Sequence, residues 1–382
     1  MKLKNSRVEW LDIMKGILII LMVVGHATGK FNGFIYQFHM AAFFLLSGYT
    51  TKLKKRTFIE TLLYKFCTLF IPVLTAFCIV GGITWLLNKS GKYEVIFDVT
   101  QLPYVGAKFA ISAFVKNGSF YPWWLGASWF IITLFNVHII LRLLFSICNH
   151  KVNVQMLSFS FGLFLFGYML NSEGKSLPWY WTLALIAQFY TIIGILLSEV
   201  QYEEKKDMRV TLNRVVGVLI TTVVSYAFYR TTHATMSFAS GKFNFPVLDI
   251  FIVLNDTLLI FFMAKIIEKI GVLCKILSFM GSNTLGIVFF HFMYFKVIIG
   301  ILYLLGVVDK SYLICYLPPE GTNAYVLILI IFGSIILSIL SWKILSLIFK
   351  GIATGGASTE YNKAIEKCMN INWIGKANEF FK

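Results

Sequence analysis

Apolar runs of about 20 residues recur along most of the chain, and the segments between them hold most of the charged residues. In hydrocarbon, such a run satisfies its backbone polar groups by folding as a helix that crosses the bilayer. The pattern therefore predicts an all-α integral membrane protein with about ten transmembrane helices. The predicted spans are Leu11–Thr28, Phe34–Tyr49, Cys67–Leu87, Trp123–Leu144, Val154–Leu170, Trp179–Leu197, Leu212–Phe228, Phe245–Ile267, Gly281–Leu305 and Ala324–Phe349.

The positive charges between the spans indicate the orientation, since Lys and Arg are retained on the cytoplasmic side during insertion. With the N-terminus inside, the inner segments before residue 324 carry 17 Lys and Arg residues and the outer segments carry nine. An even number of spans then puts both termini in the cytoplasm.

The domain organisation follows from the same pattern. Residues 1–349 are predicted as one transmembrane domain and residues 350–382 as a cytoplasmic tail, in which Tyr361–Phe381 is a candidate amphipathic helix on the membrane surface. The longest outer connection, Asn88–Tyr121, contains the apolar stretch Leu102–Val115, which is too short to span. We expect a re-entrant or surface helix there.

Composition agrees with a membrane protein and narrows the partners. Hydrophobic residues make up 58% of the chain and charged residues only 14%. The net charge of +16 reflects mainly topology, and it favours anionic membrane lipids and anionic cytosolic ligands rather than nucleic acid. The six cysteines show no metal-ligand spacing, so no metal site is predicted.

Ionisable residues inside the first two spans are candidates for chemistry, because burying them in a bilayer is costly. Asp12 precedes Lys15 by one helical turn and can pair with it, and His26 lies within about 20° of Lys15 around the helix and about 16 Å further along the axis. His39, one turn into the second span, is expected at a depth close to His26. An ordinary juxtamembrane ion pair and interfacial histidines remain the alternative interpretation.

Two sequence blocks in the first 50 residues carry a family resemblance. The first runs from Arg7 through Asp12 and Lys15 to His26, a basic residue followed after ten residues by histidine, and the second is Phe38–Tyr49 with His39. They resemble the membrane acyltransferase type 3 family, within it the fucose 4-O-acetylase-like branch. The chain departs from the family at Ala41, where proline is common, and at Lys15, where many members have arginine.

The resemblance implies transfer of an acyl group, usually acetyl, from cytosolic acetyl-CoA to a hydroxyl of a lipid-linked or cell-surface polysaccharide sugar. The protein would be a multi-pass cell-membrane O-acetyltransferase that modifies the cell envelope without a metal. His26 would be the general base or the acyl carrier, and His39 would orient it or the acceptor. The candidate acyl-CoA-binding cations are Lys15, Lys52, Lys54, Lys55 and Arg56, and the candidate substrate-binding residues are Trp129, Asp256 and His291.

Two other functional classes remain open from the residues alone. A transporter or flippase of a lipid-linked sugar would also be polytopic and basic, although such proteins often have paired halves and this chain has no convincing repeat. A sensory membrane protein could use the histidines to report pH.

Overall fold

The computed structural model describes residues 8–29, 32–97, 102–121, 123–199, 208–232, 236–238, 240–315 and 317–348. The predicted cytoplasmic tail, residues 350–382, lies outside the described residues together with its candidate amphipathic helix.

The described residues are mainly α-helical. A π-helical segment, Phe66–Phe70, joins α4 to α5, and the strands β1 (Met236–Ser237) and β2 (Lys242–Phe243) pair antiparallel. The α-helices are α1 Glu9–Thr28, α2 Asn32–Tyr36, α3 His39–Thr50, α4 Phe58–Lys65, α5 Ile71–Lys89, α6 Tyr93–Ile96, α7 Gly106–Asn117, α8 Trp129–Ile147, α9 Val154–Ser172, α10 Trp181–Glu199, α11 Met208–Thr232, α12 Pro246–Ile267, α13 Gly271–Ser282, α14 Thr284–Leu304, α15 Lys310–Ile314 and α16 Ala324–Ile348.

Eight helical segments in the described part of the chain are long and apolar enough to cross a membrane, which confirms the all-α integral membrane class. They are Glu9–Thr28, Phe58–Lys89, Trp124–Ile147, Val154–Ser172, Pro178–Glu199, Pro246–Ile267, Thr284–Leu304 and Ala324–Ile348. The predicted seventh span corresponds to α11, a 25-residue helix that carries Arg209, Arg214 and Arg230 and is not among the eight. The total of ten spans and the cytoplasmic termini stay predictions.

The prediction of an unbroken second span is wrong. The run Phe34–Tyr49 is divided between α2 and α3, with Gln37 and Phe38 in a turn. A break at membrane depth is tolerated where protein groups satisfy the freed polar atoms. Here the amide of Phe38 bonds to the carbonyl of Ile35 (3.4 Å), and the Gln37 side chain bonds to Asp256 (3.2 Å).

The chain divides into two compact units. The first comprises Met1–Thr51 and Tyr190–Thr284, and the second comprises Lys52–Phe189 and Leu285–Lys382.

Glycines bring helices of the first unit into backbone contact. A Cβ at Gly48 of α3 would overlap the carbonyl oxygen of Thr191 in α10, and a Cβ at Gly194 would overlap that of Leu45. Gly48 and Gly194 therefore permit the close approach of α3 and α10.

The first unit also contains a helix that the span pattern missed. Helix α13 is too short to cross a bilayer, and it packs along the first half of α1, with Gly16 against Leu277 and Gly281 against Asp12. In the predicted span pattern, most of this segment lies in the connection between Phe245–Ile267 and Gly281–Leu305.

In the second unit, the long connection after α5 contains the short helix that the sequence predicted. Helix α7 occupies Gly106–Asn117 and ends at Gly118, whose φ of 73° is the left-handed conformation that glycine adopts readily at helix ends. Gly118 and Phe114 pack on Trp179, whose ring also stacks on Phe70 of the π-helical segment. Aromatic packing on Trp179 therefore fixes the end of α7 within the second unit.

Candidate active site

Helix α1 carries the candidate groups at its two ends. Asp12 and Lys15 face each other one turn apart, with 3.8 Å between carboxylate and ammonium, so the predicted ion pair is present. The Lys15 side chain keeps 27% of its surface exposed, whereas Asp12 is buried. His26 lies in the last turn of the helix, just before Gly29 ends it in the left-handed conformation.

Tyr36 joins His26 to His39. Its hydroxyl is 3.0 Å from Nδ1 of His26, and its ring centroid is 5.8 Å from the His26 ring and 5.3 Å from the His39 ring. The structure therefore brings the two predicted catalytic histidines to one tyrosine, at the C-terminal end of α1 and the start of α3.

The His39 ring has a fixed tautomer. Its Nδ1 donates to the carbonyl of Ile35 at 2.8 Å, and the side chain is 98% buried. Because a carbonyl only accepts, Nδ1 carries the proton of the neutral ring, and Nε2 is the acceptor nitrogen.

Gly25 permits the approach of α2 to α1. A Cβ built on Gly25 would lie 2.9 Å from Oδ1 of Asn32 and 3.2 Å from the Tyr36 ring. A methyl group at this position would crowd the Asn32 side chain and the Tyr36 ring, which contacts His26. The close approach therefore depends on the missing side chain of a single glycine.

A buried polar cluster holds the break between α2 and α3. Asp256 of α12 accepts hydrogen bonds from Gln37 (3.2 Å), Asn255 (3.1 Å) and Ser225, and both Gln37 and Asp256 are fully buried. This satisfies the carboxylate and ties the turn that follows Tyr36 to α12. Asp256 thus contacts the site through Gln37 rather than facing His26 directly.

Two side-chain amide oxygens near this turn are available as hydrogen-bond acceptors. Oδ1 of Asn32 and Oε1 of Gln37 are buried and have no hydrogen-bond partner within the part of the chain that the structure describes. Buried polar atoms are normally bonded, so these two are positioned to accept from a hydroxyl or water.

The predicted cationic loop lies in the second unit. Lys52, Lys54 and Lys55 are exposed, and the Arg56 guanidinium lies 3.7 Å over the Tyr64 ring. Buried Arg142 of α8 donates to the carbonyl of Leu53 at 2.9 Å, and this hydrogen bond holds the loop backbone on α8. The three lysines therefore extend from a fixed backbone.

His291 and Trp129 also lie in the second unit. His291 is fully buried, its Nδ1 donates to the carbonyl of Ile287 at 2.7 Å, and its ring is 4.1 Å from that of Phe292. Trp129 begins α8 and contacts Tyr180, with ring centroids 6.4 Å apart. Their predicted substrate-binding roles stay predictions.

Comparison with protein-family models supports the family resemblance over most of the length of the chain. A family model described as an acyltransferase domain matches residues 8–343. The chain belongs to the membrane acyltransferase type 3 family. It is therefore an acyltransferase, a multi-pass membrane protein whose family match covers all of the candidate residues. No curated protein and no solved structure matches it significantly.

In this acyltransferase, sequence reasoning missed Tyr36, Gln37 and Arg142. Tyr36 and Gln37 were assigned to a continuous helix, although a glutamine within an apolar run was a signal for a buried polar contact. Arg142 was counted only as an inner charge. Among the described residues, no group of three or more His, Cys, Asp or Glu side chains could hold a metal.

Proposed function

We propose that this acyltransferase moves an acetyl group from cytosolic acetyl-CoA to a hydroxyl of a cell-envelope sugar, with His26 as the reacting side chain. The observation that carries the proposal is the contact between His26 Nδ1 and the Tyr36 hydroxyl at 3.0 Å. A positioned imidazole with one nitrogen held by a partner is the arrangement that general-base catalysis requires.

The contact also indicates how His26 would act. When Nδ1 carries the proton and donates it to the Tyr36 oxygen, Nε2 is the basic nitrogen. Nε2 then takes the proton of the sugar hydroxyl as its oxygen bonds to the acetyl carbon. The carbon–sulfur bond breaks, and the proton passes to the departing CoA sulfur to give the free thiol.

The donor needs cations near the inner surface. CoA is polyanionic at one end, and Lys15 and the exposed lysines Lys52, Lys54 and Lys55 suit its phosphates. Arg56 would act mainly on the loop, since its guanidinium already lies on Tyr64. Asp12 offsets part of the Lys15 charge, so we expect Lys15 to contribute less than an unpaired lysine would.

The acceptor needs groups that bind sugar hydroxyls. Oδ1 of Asn32 and Oε1 of Gln37 supply two buried acceptors beside the histidine pair, and Nε2 of His39 supplies a third. Asp256 would serve the acceptor indirectly by holding Gln37. This chemistry favours a polyhydroxylated acceptor, which agrees with the fucose 4-O-acetylase-like resemblance.

The test uses purified full-length protein, labelled acetyl-CoA and envelope glycan. We expect release of CoA thiol and labelling of the glycan, and His26→Gln should lower both by about 10²- to 10⁴-fold, the usual contribution of a general base. Glutamine keeps hydrogen-bonding capacity and similar bulk but is not basic near neutral pH. His150→Gln, at an exposed histidine after α8, is the matched control.

An incubation without glycan separates the two roles of His26. Protein-bound label that requires His26 would identify an acetyl-imidazole intermediate, whereas a direct transfer leaves the protein unlabelled. The proposed role is wrong if the rate of acetyl transfer by His26→Gln is within about threefold of the parent rate. Loss of a general base or a nucleophile would lower the rate by much more than that.

A further inference from the structure

An open groove runs along α5 in the second unit. It encloses about 260 Å³ between one face of α5 and the segment 103–111. Phe77, Gly81 and Trp85 line it at four-residue spacing, so they form one stripe of the helix, and Cys78 and Gly82 lie on the same side.

The groove owes its openness to two glycines. A Cβ built on Gly81 or Gly82 would meet nothing within 4 Å. These glycines therefore leave space rather than permit helix contact.

The walls of the groove are apolar and aromatic. Five aromatic rings face it, from Phe77, Trp85, Tyr93, Tyr104 and Tyr121. The polar groups of two lining residues are already bonded, since the Thr84 hydroxyl donates to Val80 (2.7 Å) and the Tyr93 hydroxyl donates to Leu102 (3.0 Å). Such a surface favours a hydrocarbon chain over a free sugar.

Three lysines lie on or beside residues that line the groove. The Lys89 ammonium lies 5.2 Å over the ring of Trp85, and Lys92 and Lys108 are exposed neighbours of the lining residues Tyr93 and Ala107. Glu94 is the one acidic residue in the described part of the connection between α5 and α8. The groove thus combines apolar walls with a lysine, Lys89, on one of its rings and two more lysines next to lining residues, which is complementary to a lipid chain that ends in a phosphate.

We propose that this groove binds the acceptor in lipid-linked form, as a single polyprenyl chain that carries the sugar on a phosphate. A single groove receives one chain, whereas a glycerophospholipid has two to place. The proposal rests on the proposed function, because it names the class of acceptor. The chain lies along α5, and the phosphate meets Lys89 and Lys108.

Cys78 provides a readout inside the groove that needs no acetyl transfer. It lines the groove and is exposed, while Cys67 lies in the π-helical segment outside the groove and serves as an internal control. Purified full-length protein in detergent is treated with a maleimide, with and without polyprenyl phosphate, and mass spectrometry of the peptides measures alkylation at each cysteine.

We expect polyprenyl phosphate to slow alkylation of Cys78 by about tenfold and to leave Cys67 unchanged, which corresponds to occupancy of about nine-tenths at the groove. Polyprenol without phosphate should need a higher concentration for the same protection. Phosphatidylglycerol and inorganic phosphate should not protect.

Matched variants test the two parts of the site. Gly82→Leu fills the groove and should abolish protection, whereas Gly162→Leu, at an exposed glycine of α9 with nothing within 4 Å of its Cβ position, should not. Lys89→Ala with Lys108→Ala should raise the protecting concentration by about tenfold, and Lys310→Ala should leave it unchanged.

Three results would overturn the proposal: no protection of Cys78, equal protection by phosphatidylglycerol, or undiminished protection in Gly82→Leu. These results are independent of the proposed function. Protection without any acetyl transfer would reject that function and retain the groove, and transfer without protection would do the reverse.

Discussion

Glycines have opposite surroundings at two places in this membrane acyltransferase. In the first unit, Gly25, Gly48 and Gly281 lie where a side chain would press on Asn32, Thr191 or Asp12. In the second unit, Gly81 and Gly82 face open space. Glycine thus lets Tyr36 approach His26 in one place and leaves a groove open in the other, so its structural role depends on the atoms opposite it.

Substitutions at the two places should affect different properties of the enzyme. A displaced Tyr36 would alter the geometry of His26, and a misplacement of about 1 Å in a reacting group can cost a hundredfold in rate. A filled groove would change only which molecule binds. Variants in the two regions should therefore separate turnover from acceptor binding.

Among variants that probe this comparison, Gly25→Ala is expected to have the largest effect. The new methyl group would lie 2.9 Å from Oδ1 of Asn32 and 3.2 Å from the Tyr36 ring, so the Asn32 side chain must turn and the Tyr36 ring must shift by a few tenths of an ångström beside His26. We expect turnover at saturating acetyl-CoA to fall by about tenfold. Protection of Cys78 by polyprenyl phosphate should be unchanged, and Gly162→Ala is the control. Parental turnover in Gly25→Ala would mean that the close approach of Tyr36 is unimportant.

The next effect is expected from Asp256→Ala, measured as thermal unfolding in detergent. Removing the carboxylate leaves the buried donors of Gln37 and Ser225 without this acceptor, whereas the Asn255 amide keeps its bonds to Thr221 and Ser225. Each orphaned group costs about 1–3 kcal/mol, and the midpoint should fall accordingly. Glu94→Ala, at an exposed carboxylate, should leave the midpoint unchanged. A midpoint equal to the parent's would show that the cluster contributes nothing to stability.

The smallest effect is expected from Lys15→Ala. Its partly exposed ion pair with Asp12 limits the free charge that it offers a phosphate. We expect the acetyl-CoA concentration for half-maximal rate to rise about threefold to fivefold, in keeping with a partly screened charge interaction of about 1 kcal/mol or less. Lys310→Ala is the control. Unchanged donor dependence in Lys15→Ala would reduce this lysine to a structural ion pair.

The sequence by itself determined the class of the protein and much of the site. Long apolar runs force helices in lipid, so the membrane fold could be predicted from periodicity and length. The Asp12–Lys15 pair could be predicted as well, because residues three apart on a helix are always neighbours. His26 and His39 were found as ionisable groups in apolar spans.

Tertiary structure alone decided what surrounds these residues. The break at Gln37 is stabilised by Asp256, more than 200 positions away in the chain, and local sequence carries little information about such a distant partner. Helix α13 lies on α1 because Gly16 and Gly281 are opposite Leu277 and Asp12. Spacing places a side chain on a face of its own helix, whereas packing decides which atoms of another helix it meets, and the His26–Tyr36 contact belongs to the second kind.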